Sequence, residues 1–120
     1  MSAKSIVEDF YKSDVLLQSE TLRSLLHPDI VLEWHSSKGF LKLNKDQMIS
    51  LSQEMSKTYV RSKSRISHIL AQGDTVSVRY TLYGKTIENP REEMLLAHFM
   101  VIWEVKDKQL YRGYQMSQLF

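Results

Sequence analysis

The 120-residue chain contains no cysteine, two prolines and four glycines. The absence of cysteine excludes disulfides, thiolate nucleophiles and thiolate metal sites. No apolar run approaches the length needed to span a bilayer, and the first ten residues lack the continuous apolar segment of a signal peptide. We therefore expect a cytoplasmic protein that makes no contact with a membrane.

An excess of charge of one sign is also missing. The chain has 16 basic and 14 acidic side chains, and this formal net charge of +2 is too small to indicate nucleic-acid binding. Arg61, Lys63 and Arg65 alternate with serines and would form a basic stripe on one face of a strand. Such stripes commonly protect sheet edges, and no aromatic residue lies among these charges to stack a base. We expect no nucleic-acid partner.

The four histidines show neither HxH nor HxxxH spacing. A catalytic zinc site needs about three protein ligands, so the sequence predicts no metal site, and we expect no cofactor. His35, which is followed by two serines, remains a candidate catalytic residue at the mouth of a pocket.

Three helices are predicted in the first half of the chain. Ser5 and Glu8 have the spacing of a capping box, as do Asn44 and Gln47. Between them, a second helix begins near Ser19 and ends before Pro28, because proline disfavours a helical conformation in the residue that precedes it. A short strand over residues 30–36 follows, and the glycine at position 39 interrupts the pattern.

The second half of the chain is predicted to be almost entirely β-structure. Turn signals at 73–74, 84–92 and 106–109 separate about four long antiparallel strands. Residues 97–103 are apolar on both faces of their strand except for His98, so this strand needs cover on both sides. The single domain, residues 1–120, is thus predicted to be α+β, with its helices on one side of a curved sheet.

Three segments resemble the nuclear transport factor 2-like superfamily, and within it the SnoaL-like group of polyketide cyclases, ketosteroid isomerase and limonene epoxide hydrolase. They are HPDIVLEW at 27–34, AQGDTV at 71–76 and LYRGY at 110–114. The resemblance implies a cone-shaped, curved antiparallel sheet with three helices from the N-terminal half packed on its concave side. It also implies a deep apolar pocket between the sheet and the helices.

With strand faces assigned by alternation, the resemblance implies a set of ligand-binding residues. They are Phe10, Tyr11, Leu32, Trp34, Met48, Leu51, Met55, Tyr80, Leu82, Phe99, Val101, Trp103, Tyr111 and Gln115. The convex face would then carry Met100, Ile102, Tyr114 and Met116, the surface through which the family commonly dimerises. We therefore expect a hydrophobic small molecule and a second copy of the chain as partners.

The acids that enzymes of this superfamily use are missing at the matching positions. The first-strand base of the isomerase falls on Trp34, and the last-strand aspartate of the epoxide hydrolase falls on Gly113. Tyr80 and Tyr111 could still stabilise an oxyanion by donating hydrogen bonds. Glu33 would enter the pocket if the strand register were shifted by one residue.

Three hypotheses follow from these observations. The first is a small stand-alone domain that binds an apolar, ring-containing small molecule. The second is a SnoaL-like isomerase, cyclase or dehydratase that acts on a small hydrophobic substrate. The third is a dimeric protein-interaction module without a ligand, and an open pocket would separate it from the other two because a packed core leaves no such space.

Overall fold

The computed structural model describes residues 2–120, and these form an α+β domain, as predicted. The helices are Ala3–Phe10 (α1), Ser19–Leu25 (α2) and Lys45–Thr58 (α3), with a short 3₁₀ turn at Val15–Leu17. The strands are Leu26–Ser36 (β1), Gly39–Leu43 (β2), Tyr59–Gln72 (β3), Thr75–Thr86 (β4), Met94–Lys106 (β5) and Gln109–Leu119 (β6). Within this described part of the chain, no helix is long and apolar enough to cross a bilayer.

The strands form one sheet in the order β2-β1-β6-β5-β4-β3. The sheet is mixed rather than wholly antiparallel, because β6 runs parallel to β1 while the other neighbours are antiparallel. Strand β2 was not predicted, since we interpreted Gly39 as a break. Gly39 instead begins the returning strand of a β1–β2 hairpin, with a φ of 118° that glycine adopts readily.

The helix ends show which capping predictions were correct. At α3 both arms of the predicted capping box form, with the Gln47 backbone N–H and the Asn44 backbone N–H each 2.9 Å from the other residue's side-chain oxygen. Helix α1 begins one turn earlier than predicted, because the hydroxyl of Ser2 accepts the backbone N–H of Ser5. Helix α2 ends at Leu25, and β1 already begins at the next residue.

The core lies between the inner face of the sheet and the helices. Helix α1 contacts β3 to β6, and α3 contacts β1 and β3. Strand β5 alternates as the sequence predicted: Ala97, Phe99, Val101 and Trp103 are buried, while Met100 and Ile102 on the outer face are exposed. The fold therefore leaves an apolar outer surface on the middle of the sheet.

The predicted basic stripe lies on β3, which is an edge strand of the sheet. Arg61 forms a 3.1 Å ion pair with Asp14, and the guanidinium of Arg65 lies 5.1 Å from the ring centre of Tyr83. Two of the three basic residues thus have partners within the domain. This edge position agrees with the protective role that the sequence suggested.

Gly113 allows β6 to pass beneath the largest buried side chain. A Cβ atom at this position would lie 2.5 Å from the Trp103 ring and 2.7 Å from a methyl group of Leu32. Both neighbours are buried, at 1% and 5% exposure, so neither can move away freely. The close approach of strand and indole therefore requires glycine.

We expect Gly113→Ala to lower the free energy of unfolding by about 1–3 kcal/mol, because the added methyl group overpacks the core. Urea denaturation followed by circular dichroism measures this change. Gly84→Ala is the matched control and should cost less, since its nearest atoms, at 2.9–3.2 Å, belong to Leu96 and Tyr59 side chains that border open space. A Gly113→Ala protein as stable as the wild type would contradict the overpacking argument.

Candidate functional site

A cavity of about 710 Å³ opens between the inner face of the sheet and α3. Strands β1, β2, β4, β5 and β6 and the C-terminal end of α1 also contribute to its wall. Most of the residues predicted to bind a ligand lie on this wall. They are Phe10, Leu32, Trp34, Met48, Leu51, Met55, Tyr80, Leu82, Phe99, Trp103 and Gln115.

Three residues that were predicted to bind a ligand do not lie on the cavity wall, and a physical reason explains the position of each. Tyr11 is buried behind the wall, where its hydroxyl accepts a hydrogen bond from Trp103. Val101 belongs to the packed core, where neighbouring side chains enclose it and separate it from the cavity. Tyr111 is displaced by a register shift between Glu104 and Val105, so simple alternation places it on the wrong face. Its ring instead lies 3.9 Å from the Arg112 guanidinium, outside the cavity.

The strand register of β1 determines which of its side chains face the cavity, and with it the position of the catalytic candidates Glu33 and His35. Trp34 lines the cavity, whereas Glu33 does not and lies opposite Lys42 and Tyr114 on the neighbouring strands. His35 is exposed, and its ring lies 4.7 Å from that of Phe40. Of the four candidates Glu33, His35, Tyr80 and Tyr111, only Tyr80 lies on the described cavity wall.

Several wall residues were missed by the sequence reasoning. Leu41 and Leu43 belong to the unpredicted strand β2, although their alternation with Phe40 and Lys42 could have indicated it. Ser52 lies one helical turn after Met48, on the same face of α3, but its polar side chain removed it from the apolar pattern. Other such residues are Leu16, Leu22, Ser36, Ser37, Lys38, Gln47, Ser50, Glu54, Tyr59, Leu96, Ala97 and Leu119.

The deep part of the wall is aromatic. The rings of Tyr80 and Phe99 stack with their centres 4.8 Å apart and their planes 3° apart. Phe10 meets the Trp103 ring edge-on at 5.5 Å, and Trp34 lies 6.2 Å from Phe99. Flat ring faces and few polar atoms are the features that an apolar, ring-containing molecule requires of a binding surface.

Burial raises the pKa of two phenols, one behind the cavity wall and one on it. Burial raises the pKa of Tyr11 well above its ordinary value, while the 2.8 Å hydrogen bond from the Trp103 indole acts in the opposite direction. Burial also raises the pKa of Tyr80 well above its ordinary value, and the neighbouring Tyr11 adds to the effect. Neutral phenols can donate hydrogen bonds but do not act as bases near neutral pH.

Charged groups lie only at the mouth of the described cavity. Lys38 follows the end of β1, and Glu54 belongs to α3, where it forms a 3.2 Å ion pair with Lys57. Both residues are exposed. The interior therefore offers neutral polar groups only, and any charge on a ligand would have to lie near the entrance.

The sequence model of the SnoaL-like domain matches residues 7–113, so the chain belongs to this family within the nuclear transport factor 2-like superfamily. No curated protein matches the chain in sequence. The family resemblance stated from the short segments is confirmed. Because this fold carries many different activities, membership does not by itself specify a reaction.

Solved structures show the same fold at low sequence identity. An LEH-like epoxide hydrolase from M. tuberculosis is 19% identical, with a TM-score of 0.73 over 96% of this chain and 81% of that chain. IdmH from Streptomyces antibioticus, a proposed polyketide cyclase, is 16% identical, with a TM-score of 0.73 over 98% and 92%. A SnoaL-like protein from Shewanella denitrificans OS-217, also proposed to be a polyketide cyclase, is 12% identical, with a TM-score of 0.73 over 96% and 89%.

We expect Tyr11→Phe to lower the free energy of unfolding at neutral pH by about 1–3 kcal/mol, because the buried Trp103 N–H loses its acceptor. The pH dependence should change as well. Tyrosines of the unfolded chain ionise near pH 10, while Tyr11 and Tyr80 stay protonated in the fold. The folded state then holds more protons, so wild-type stability falls as pH rises above about 10.

Urea denaturation between neutral and strongly alkaline pH measures both effects. Tyr11→Phe should decline less steeply in the alkaline range than the wild type, since one of the two phenols has been removed. Tyr83→Phe is the matched control, because Tyr83 is only half-buried and lies outside the cavity. Parallel alkaline curves for Tyr11→Phe and the wild type would show that this phenol does not resist ionisation in the fold.

Proposed function

We propose that this SnoaL-like domain binds an apolar, ring-containing small molecule in the cavity between its sheet and α3. The observation that carries the proposal is the open space of about 710 Å³ lined by aromatic and aliphatic side chains. Binding sites for small molecules typically occupy about 300–1,000 Å³ and are lined by such side chains with few polar groups. A domain that served only as an interaction module would gain nothing from this empty volume, because packed cores are more stable.

Binding accounts for the site better than acid–base catalysis does. Proton abstraction requires a base within hydrogen-bond reach of the reacting carbon. The carboxylate on the described wall is that of Glu54, which is solvent-exposed at the mouth and paired with Lys57. Trp34 falls where the family resemblance puts the isomerase base, and its N–H already donates to Ser117 over 2.8 Å. These features support a receptor or carrier for a neutral molecule.

A fluorescent hydrophobe tests this function directly. N-Phenylnaphthylamine is uncharged, contains three aromatic rings and emits strongly only in apolar surroundings. We expect it to bind with one site per chain and to quench the emission of Trp34 and Trp103, which line the cavity. Titration of the protein with this dye measures the affinity, and the quenching should become weaker in Trp34→Phe.

A cavity-filling variant supplies the control for that titration. Ala97 is buried on the cavity wall, so Ala97→Phe places a ring in the empty space and should weaken dye binding by at least about 10-fold. Ala71→Phe is the matched change, at an exposed position away from the cavity, and should leave the affinity unaltered. Failure of the wild type to bind the dye, or equal affinities of wild type and Ala97→Phe, would refute the proposed site.

We also propose that the partner of the chain is a second copy, which covers the outer face of the sheet. Met100 lies opposite Met116 and Ile102 opposite Tyr114, in neighbouring cross-strand pairs of β5 and β6. These four residues, here called the outer patch, are 40–65% exposed. A contiguous apolar patch in the middle of a sheet commonly marks an interface, and a two-fold axis through it would let each patch cover the other.

Sedimentation equilibrium of Ile102→Glu tests the dimer. The change should weaken self-association by at least about 10-fold, because it places a charge in each half of a desolvated interface. Leu70→Glu is the matched control, since Leu70 is also an exposed apolar residue but lies on the edge strand β3. A wild type that remains monomeric at micromolar concentration, or an Ile102→Glu protein that is folded and dimeric, would show that the outer patch is not the interface.

A further inference from the structure

Gln115 combines deep burial with an unused side chain. It is 7% exposed, on the cavity wall in the centre of β6. Among residues 2–120, two other buried polar side chains have hydrogen-bond partners: Ser52 donates to the Leu16 carbonyl, and His27 is bonded to Asp107 and to the Asp29 N–H. The hydroxyl of Ser62 is also buried without a hydrogen bond, but it lies away from the described cavity wall. The amide of Gln115 makes no hydrogen bond to any described residue.

This amide faces the cavity. Every fully enclosed side-chain nitrogen and oxygen within the described chain has a hydrogen-bond partner. The amide atoms of Gln115 have none, so they are not fully enclosed, and the surface on which the side chain lies is the cavity wall. A buried donor and acceptor left without partners costs free energy, and a ligand that pairs with both would recover it.

Ser117 supplies a further donor beside this amide. It lies two residues after Gln115 on β6 and also lines the cavity, because alternate residues of a strand share a face. Its oxygen accepts the indole N–H of Trp34 at 2.8 Å. The hydroxyl group keeps its own hydrogen, which it does not donate to any described residue, so Ser117 can donate to a ligand.

We propose that Gln115 and Ser117 form a subsite for an uncharged amide group, such as a lactam within a ring system; this inference rests on the proposed function. The side-chain amide of Gln115 presents a donor and an acceptor side by side. A ligand amide presents the complementary acceptor and donor, and its carbonyl oxygen can also accept from Ser117. Trp34 is a positioning residue, because its N–H orients the Ser117 hydroxyl.

Other ligand groups fit this subsite less well. A ketone or ether accepts hydrogen bonds but leaves the Gln115 carbonyl oxygen without a donor. A carboxylate carries a charge, and the basic residue on the described wall is Lys38, which is exposed at the mouth. Burying that charge beside Gln115 would be costly without a cation. An amide satisfies all three polar groups and remains neutral.

Three probes of nearly equal size test the inference by isothermal titration calorimetry. Carbostyril is a bicyclic lactam, N-methylcarbostyril lacks the amide hydrogen, and naphthalene lacks the whole amide. The wild type should prefer carbostyril over N-methylcarbostyril by roughly 5- to 150-fold, the range expected when a buried polar group loses its partner. Gln115→Leu should abolish this preference and leave naphthalene binding unimpaired.

Matched variants separate the parts of the subsite. Gln118→Leu is the same substitution on the exposed outer face of β6 and should preserve the preference for carbostyril. Ser117→Ala should weaken both carbonyl-containing probes while retaining the preference between them, because it removes only the donor to the carbonyl oxygen. Ser117→Ala also keeps the test informative if Gln115→Leu does not fold.

The possible failures are distinguishable. If N-phenylnaphthylamine binds but the wild type does not prefer carbostyril over N-methylcarbostyril, the amide subsite is wrong and the apolar binding function stands. A preference that persists unchanged in Gln115→Leu would equally overturn the subsite. If neither the dye nor carbostyril binds, both the proposed function and this inference fail.

Discussion

The indole of Trp103 is the contact on which the rest of this domain depends. It is almost completely buried near the C-terminal end of β5, and its N–H donates to Tyr11 just beyond the end of α1. One hydrogen bond thus fixes the position of the first helix against the sheet. On the opposite side, the ring occupies the space that a side chain at position 113 would fill, which allows β6 to approach closely. Helix, sheet and cavity wall meet at this one residue.

This arrangement explains why the domain contains both a packed end and an open end. Helix α1 lies against β3 to β6, and Val101 of β5 belongs to the packed core. Helix α3 contacts β1 and β3 instead, and the cavity lies between it and the inner face of the sheet. Tyr80 and Phe99 lie at the boundary between the packed end and the open end, since both are buried yet line the cavity. The packed end supplies stability, which allows the other end to retain an empty volume that costs free energy.

Much of the fold could be predicted because alternation and capping are local signals. The period of β5 assigned its faces correctly, and the Asn44–Gln47 capping box located the start of α3. The errors arise where a tertiary constraint interrupts the local pattern. A register shift moved Tyr111 off the expected face, and the parallel pairing of β1 with β6 joins residues too far apart in sequence for any local pattern to indicate.

The candidate site was less predictable than the fold, for a related reason. Apolar patterning identified the aromatic residues, because the same apolar residue types pack a core and line a cavity. This pattern could not distinguish Tyr11 from Tyr80. Tyr11 lies behind the cavity wall, whereas Tyr80 is part of the wall. Polar wall residues such as Ser52 do not belong to the apolar pattern of their helix, although the hydrogen bonds of a cavity determine which molecule it accepts. A sequence can therefore indicate that an apolar cavity exists, whereas its selectivity depends on the partners each polar atom finds in the folded chain.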